Sequence, residues 1–122
     1  FIERMYVTCL SRQSDPNGKT YWVNLLLDGS VNGVQAAYFF LFSPEYVNSN
    51  KSDEEFVKDL YRVFMGREYD QGGYEFWLSI LKQGFSRQYV FNGFSNSAEF
   101  GNICRQYGIS QGIGNYGPTM TP

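Results

Sequence analysis

Two sets of arginine and carboxylate side chains recur in the chain with nearly the same spacing: Arg12, Asp15 and Glu45, followed by Arg67, Asp70 and Glu99. Such a set could hold an anionic ligand or a sugar, because the planar guanidinium group matches a carboxylate at two points. The same geometry could instead lock a turn to a later helix. Groups that recur within one chain usually belong to its architecture. We therefore predict two structural ion pairs, Arg67–Glu99 and Arg12–Glu45.

Each arginine is followed by a turn that superficially suggests a calcium loop, Asp15-Pro16-Asn17-Gly18 and Asp70-Gln71-Gly72-Gly73. An EF-hand loop needs oxygen ligands at its first, third and fifth positions and a glutamate at the twelfth. Counted from Asp15, the fifth and twelfth positions are Lys19 and Leu26, and counted from Asp70 the third is Gly72. The sequence therefore favours capping turns, in which each aspartate starts the next helix. We expect no metal and no cofactor.

Groups that could carry catalysis are scarce. The chain has no histidine, which is both the commonest general base and the commonest metal ligand. No serine stands in the context of a nucleophile elbow, and no glycine-rich phosphate loop follows a strand. We therefore expect a protein that is not an enzyme in its own right.

The recurring arginine and carboxylate side chains belong to an internal repeat. A shift of 55 residues pairs Trp22 with Trp77, and after a gap of one residue a shift of 54 pairs Phe40 with Phe94. Within each repeat, apolar residues recur every three or four positions, between capping residues and helix breakers. The sequence predicts an all-α fold of two tandem repeats of about four helices each, packed into one domain. The repeats would span residues 1–50 and 51–109, with a linker or tail at 110–122.

Aromatic residues make up 19% of the chain and could serve either the core or a ligand surface. Trp22 and Trp77 could stack on sugars, but each lies within an apolar helical pattern, so we predict that both are core residues. Tyr69, Tyr74 and Tyr116 have no aromatic counterpart in the first repeat and are the better candidates for a ligand surface. Tyrosines are also ordinary surface residues, so this alternative stays open.

Two cysteines, Cys9 and Cys104, lie near opposite ends of the chain. They lack the CxxC spacing of a redox or zinc site, and no histidine is present to complete a metal site. We favour a structural disulfide that joins the first and last helices, which would place the protein in an oxidising compartment. Two buried thiols are the alternative.

Charge and hydropathy limit the partners. A net charge of -2 without a basic stripe gives no reason to expect nucleic acid binding. No apolar run reaches the length of a membrane span, so we expect no membrane insertion. The helical pattern starts at Phe1 without a capping residue, which suggests a piece of a longer protein.

Several motifs of the second repeat resemble a bacterial family known as domain of unknown function 4214: Leu60 to Arg67, the turn from Asp70 to Gly73, Trp77, and Asn96 to Phe100. The first repeat departs from the pattern at Ser11, where the family has glycine before arginine, and at Pro44 and Tyr46 in its closing motif. The resemblance implies an extracytoplasmic accessory domain of larger secreted or cell-surface proteins. It also implies a distant similarity to the helical linker domains of phycobilisomes, whose role is assembly.

These features are consistent with two functions from different classes. The first is a non-catalytic interaction or scaffolding module that binds an unknown protein or glycan at the cell surface. The second is a carbohydrate-binding module that brings a neighbouring catalytic domain to its substrate. Coplanar exposed rings in a groove would favour the glycan, whereas a flatter apolar patch with a polar rim would favour a protein. A spacer without any ligand is a third possibility.

Overall fold

The computed structural model describes residues 1–10 and 13–121. Within these residues the chain forms eight α-helices: α1 Ile2–Leu10, α2 Pro16–Leu27, α3 Gly33–Leu41, α4 Pro44–Val47, α5 Asp53–Leu60, α6 Gln71–Lys82, α7 Arg87–Ser95 and α8 Ala98–Gln106. A π-helical segment, Tyr61–Met65, continues α5 and ends at Gly66 in the left-handed conformation. The predicted all-α fold class is confirmed, since the described residues contain no strand and only one isolated bridge, between Phe85 and Met120.

Short polar residues fix where the helices begin. Each helix from α2 to α8 is preceded by Asp, Asn or Ser, whose side-chain oxygen accepts a hydrogen bond from the backbone N–H three residues later. This bond satisfies one of the N–H groups that lack a partner at a helix start. These capping residues are Asp15, Asn32, Ser43, Ser52, Asp70, Ser86 and Ser97.

Helix bounds in the two parts of the chain follow the shifts seen in the sequence. The bounds of α6 are those of α2 moved by 55 residues, and the bounds of α7 are those of α3 moved by 54. The closing helices differ, since α4 has four residues and α8 has nine. We refer to residues 1–50 as the first half and to residues 51–109 as the second half.

One hydrophobic core joins the two halves, and every described helix contributes at least one buried residue to it. Phe42, directly after α3, contacts the rings of Phe56 and Phe91 at centroid distances of 6.2 and 5.6 Å. At the other end of the domain, the rings of Phe1 and Phe100 lie 5.6 Å apart. Side chains of both halves therefore pack into the same core.

Residues 110–121 contain no helix, and they pack along the helices of the domain. The backbone N–H groups of Gly33 and Val34, at the start of α3, donate to the carbonyl oxygens of Ser110 and Gln111 at 2.7 and 2.9 Å. Such N–H groups have no partner inside their own helix. This segment, predicted as a linker or tail, therefore completes the N-terminus of α3.

Candidate functional site

Arg67 and Glu99 form a two-point ion pair. Arg67 donates from Nε to Glu99 Oε2 at 2.9 Å and from Nη2 to Glu99 Oε1 at 3.1 Å, and its Nη1 lies 3.5 Å from Asp70 Oδ1. These bonds, with that to Glu99 foremost, raise the pKa of the Arg67 guanidinium. The arginine ties the turn before α6 to the first turn of α8. Arg12 lies outside the described residues, so the pair between Arg12 and Glu45 stays a prediction.

Both aspartate turns have the geometry of helix caps. The backbone N–H of Gly18 donates to Asp15 Oδ2 at 2.9 Å, and that of Gly73 donates to Asp70 Oδ2 at 2.8 Å. The bond from Gly73 is the main cause that lowers the pKa of Asp70. In the part of the chain that the structure describes, no group of three acidic or cysteine side chains is placed to hold a metal ion.

Each of these glycines lies against a tyrosine hydroxyl from the preceding helix. A Cβ atom on Gly18 would lie 2.8 Å from Tyr6 Oη, and one on Gly73 would overlap the hydroxyl of Tyr61. Burial raises the pKa of Tyr61, with Asp70 as a second cause. The sequence analysis did not connect the tyrosines with the turns, although both recur at the same shift. Tyrosine, aspartate and glycine thus form one structural motif in each half.

The two tryptophans, predicted as core residues, pack against the edge of the core. Both are half-buried. Trp22 contacts Phe40 at a centroid distance of 5.4 Å, and Trp77 contacts Phe94 at 5.3 Å. Their helices contribute few side chains to the centre of the core. Only Leu26 is buried on α2, and only Leu78 and Leu81 are buried on α6.

The three candidate tyrosines do not form one surface. The rings of Tyr69 and Tyr74 lie 4.5 Å apart, and Lys58 Nζ lies 5.6 and 5.8 Å from their centroids. Tyr116 lies elsewhere and stacks on Tyr38 at 3.8 Å. All three rings are half-buried. Tyr69 and Tyr74 remain together as a candidate surface, whereas Tyr116 fixes the C-terminal segment.

The predicted disulfide between Cys9 and Cys104 is wrong, because both residues are buried free thiols. They lie in different surroundings: Asp59 and Lys51 are the charged groups that act on Cys9, whereas Cys104 lies against the start of α3 near Gly33. Burial raises the pKa of Cys9 far above its usual range and that of Cys104 to about 11. The thiols are therefore protonated near neutral pH, and they give no evidence for an oxidising compartment.

A buried carboxylate, which the sequence analysis missed, connects the halves. Asp59 is 1% exposed and accepts hydrogen bonds from Tyr46 Oη at 2.7 Å and from Arg62 Nη1 at 3.1 Å. Lys51 Nζ lies 3.8 Å from Asp59 Oδ2, the oxygen that accepts from Tyr46. Burial raises the pKa of Asp59 despite these partners. In sequence, Asp59 is indistinguishable from a solvated helix residue, so only the packing reveals its role.

A cleft of about 790 Å³ lies between the halves, and the charged groups on its wall are engaged in ion pairs, Arg87 with Asp53 and Lys51 with Asp59. Arg87 donates to Asp53 Oδ1 at 2.9 Å and to the carbonyl oxygen of Lys51 at 2.8 Å. Its guanidinium carbon lies 4.9 Å from the ring centroid of Phe56. These contacts give the cleft a structural role at the junction of the halves.

Three aromatic side chains form an exposed surface on the first half, which we call the aromatic patch: Tyr21, Trp22 and Phe39. Tyr21 is 61% exposed and Phe39 is 57% exposed. The ring of Trp22 lies between them, with centroids at 5.9 Å from Tyr21 and 4.9 Å from Phe39. The interplanar angles are 79° and 52°, so the rings are not coplanar.

The aromatic patch has polar neighbours, which include Glu45 beside Trp22 and Phe39, and it is larger than its counterpart on the second half. Asn24 and Gln35, one helical turn from Tyr21 and Phe39, are exposed. At the position that corresponds to Phe39, the second half has Gly93, where a Cβ atom would lie 2.5 Å from the ring of Trp77. The indole of the second half therefore lies on backbone, and its surface is extended by the exposed ring of Phe76 but has no counterpart of Phe39.

None of the helices in the described residues is long and apolar enough to cross a bilayer. No curated protein and no solved structure shows a match to this chain. The profile of one family, described as Domain of unknown function (DUF4214), matches residues 37–104. The match begins within α3, ends within α8, and includes the Arg67–Glu99 pair, the second aspartate turn and Trp77. The chain thus belongs to the family Domain of unknown function (DUF4214).

Proposed function

We propose that this domain is a non-catalytic interaction module of a larger secreted or cell-surface bacterial protein, and that it binds a partner protein through the aromatic patch. The observation that carries this proposal is the exposure of Tyr21 and Phe39 on either side of Trp22. Exposed aromatic clusters of this kind are enriched at protein interfaces, where they form the apolar centre of the contact. The extracytoplasmic location rests on the family resemblance alone.

Ring geometry supports a protein partner more than a glycan. A sugar-binding platform presents rings that lie in one plane along a groove, whereas the rings of the aromatic patch are tilted by 52° and 79°. The uncharged polar neighbours Asn24 and Gln35 would form the rim that surrounds the apolar centre of a protein interface.

The alternative function is a carbohydrate-binding accessory module that directs a neighbouring catalytic domain. One observation favours it: Tyr69 and Tyr74 are inclined by only 32°, and Lys58 lies beside both rings. This pair could offer a short stacking surface together with a hydrogen-bond donor.

We also propose that the chain is a tandem pair that arose by duplication, with a distant similarity to phycobilisome linker domains. The matching bounds of α2 and α6 and of α3 and α7 support the duplication. The tyrosine–aspartate–glycine motif, which is present in both halves, supports it independently. An assembly role, as in the linker domains, agrees with a scaffolding function.

The test compares Phe39→Ala with Phe76→Ala. Phe76 is 55% exposed beside Trp77 on the second half, so it is a matched control of equal size and similar exposure. Each purified variant is used as bait against cell-surface extracts of the source bacterium and on a glycan array. We expect Phe39→Ala to lose a protein that the wild type and Phe76→Ala retain.

Equal retention by all three baits would contradict the role of the aromatic patch. Glycan binding that is lost on substitution of Tyr69 or Tyr74 would instead support the carbohydrate-binding alternative. Circular dichroism of each bait checks that its fold is preserved.

A further inference from the structure

The C-terminal segment is held by the side chains of Asn92, in α7, and of Asn96, directly after α7. Asn92 Nδ2 donates to the carbonyl oxygen of Tyr116 at 3.1 Å, and the Tyr116 N–H donates to Asn92 Oδ1 at 3.1 Å. Asn96 repeats this pattern with Gly114, with distances of 2.9 Å and 2.7 Å. Each amide therefore binds both the N–H and the C=O of one residue.

The spacing of the two asparagines matches that of an extended peptide. Four residues along an α-helix rise by about 6 Å, and two residues of an extended chain span about 6.6 Å. Asn92 and Asn96 are four positions apart, and the residues they bind are two positions apart. Because all four hydrogen bonds go to main-chain atoms, they recognise an extended chain regardless of its side chains.

Two further contacts would select particular residues in that chain. A Cβ atom on Gly114 would overlap Ser95 Oγ and would lie 3.1 Å from Asn92 Cα, so only glycine fits this position. The ring of Tyr116 stacks on Tyr38 at 3.8 Å with an interplanar angle of 13°. The groove between α3 and α7 thus accepts the pattern Gly-x-Tyr.

The asparagines also differ from their counterparts in the first half. A shift of 54 places Asn92 on Tyr38 and Asn96 on Phe42, which are aromatic residues that pack against the second half. Asn92 is half-buried, and an amide in such a site is unfavourable unless its hydrogen bonds are made. The C-terminal end of α7 therefore presents amides to a main chain where the first half presents rings to the core.

We propose that the groove between α3 and α7 is a binding site for an extended peptide of the pattern Gly-x-Tyr. Residues 110–121 occupy it as a tethered ligand that competes with such a peptide from another chain. A tethered segment acts at a high effective concentration, so the wild-type chain would bind a free peptide weakly. This site is separate from the aromatic patch.

The test measures binding of a fluorescently labelled peptide of residues 110–121 to the full chain by fluorescence anisotropy. Tyr116→Ala in the protein removes the stacked ring and weakens the tethered segment. We expect this variant to bind the peptide at least about tenfold more tightly than the wild type, because its competitor is weaker. Asn115→Ala is the matched control, since Asn115 is exposed between the two bound residues.

Peptide variants test the recognition without any further change in the protein. A peptide with Gly114→Val would clash with Ser95, and one with Tyr116→Ala would lose the stacking ring, so both should bind at least about tenfold more weakly. Equal binding of the Gly114→Val peptide would overturn the proposal. So would a lack of binding by a Tyr116→Ala protein that retains its helical circular dichroism.

A second measurement uses the wild-type protein and does not depend on the folding of a variant. A peptide with a photoreactive aromatic residue at position 116 is added in excess and irradiated. We expect cross-links to α3 or α7, near Tyr38 and Phe91, and cross-links confined to other surfaces would contradict the site. Substitution of Phe39 should leave both measurements unchanged, which separates this proposal from the proposed function.

Discussion

At the scale of single residues, the Asp-x-x-Gly turns show how far local sequence determines structure. The capping role of Asp15 and Asp70 could be predicted, because a cap involves residues three positions apart. The need for glycine at positions 18 and 73 has a further cause beside the capping carboxylate, which is the close approach of the Tyr6 and Tyr61 hydroxyls. That contact joins separate helices, so the turn sequence alone does not contain it.

Gly73 and Gly72 offer a matched pair of substitutions within the first turn of α6. Gly73→Ala would force Tyr61 to move and should lower the free energy of unfolding by about 1–3 kcal/mol. Gly72→Ala meets no atom within 4 Å and should be neutral or stabilising, since alanine is the better helix former. Urea unfolding measures both, and equal effects of the two substitutions would refute the role of the tyrosine hydroxyl.

Asp59 should make stability depend on pH. Burial raises its pKa above the usual 3.8, so the folded state binds its proton more tightly than the unfolded state. Below pH 3.8 the side chain therefore makes its full contribution to the free energy of unfolding. The contribution is lost as the pH rises through the higher pKa of the folded state. The variant Asp59→Asn does not show this loss, because its amide does not titrate. The free energy of unfolding of the variant should therefore rise relative to that of the wild type as the pH increases above 3.8, as measured by urea unfolding. A flat or falling difference would contradict the raised pKa.

At the scale of elements, the ion pair between Arg67 and Glu99 joins the turn before α6 to α8. The recurring spacing of arginine and glutamate was enough to predict this pair in the second half. The position of the C-terminal segment was not predictable, because a glycine- and proline-rich sequence gives no sign of a groove that holds it. Its docking depends on Asn92 and Asn96, which look like ordinary surface residues in the sequence.

A double-mutant cycle with Arg67→Ala and Glu99→Ala measures the strength of this connection. Both side chains are a little over 40% exposed, so solvent screens the pair, and the coupling should be at most about 1 kcal/mol. It should shrink in 1 M salt, where the screening length falls to about 3 Å. Lys82→Ala is the control, since Lys82 forms no ion pair among the described residues and its removal changes the net charge equally. Coupling that is insensitive to salt would argue against a charge interaction.

At the scale of the whole molecule, the halves share one core, and this explains which sequence predictions failed. The fold class and the helix starts depend on periodicity and caps, which are local. The disulfide depended on which helix faces which, and the sequence pattern does not contain that information. Phe42 and Tyr46 reach from the first half into the second, so the boundary at residue 50 does not separate two independent units.

The two thiols should be unreactive while the protein is folded. Burial holds Cys9 and Cys104 in the protonated form, with the pKa of Cys104 near 11, and thiolate is the reactive species. We expect slow reaction with Ellman's reagent at pH 8 and rapid reaction of both thiols in guanidinium chloride. A reductant should not change the melting temperature. A mass deficit of two hydrogens in the intact, unreduced protein would show that a disulfide forms after all.

The two indoles, one in each half, provide optical reporters that need no added label. Trp22 lies beside Phe39 and Phe40, whereas Trp77 lies above the backbone of Gly93. Replacing either one with phenylalanine leaves a single emitter whose spectrum follows its own half during denaturation. Because the core is common to both halves, the two emitters should report the same midpoint. Different midpoints would show that one half can lose its structure while the other keeps it.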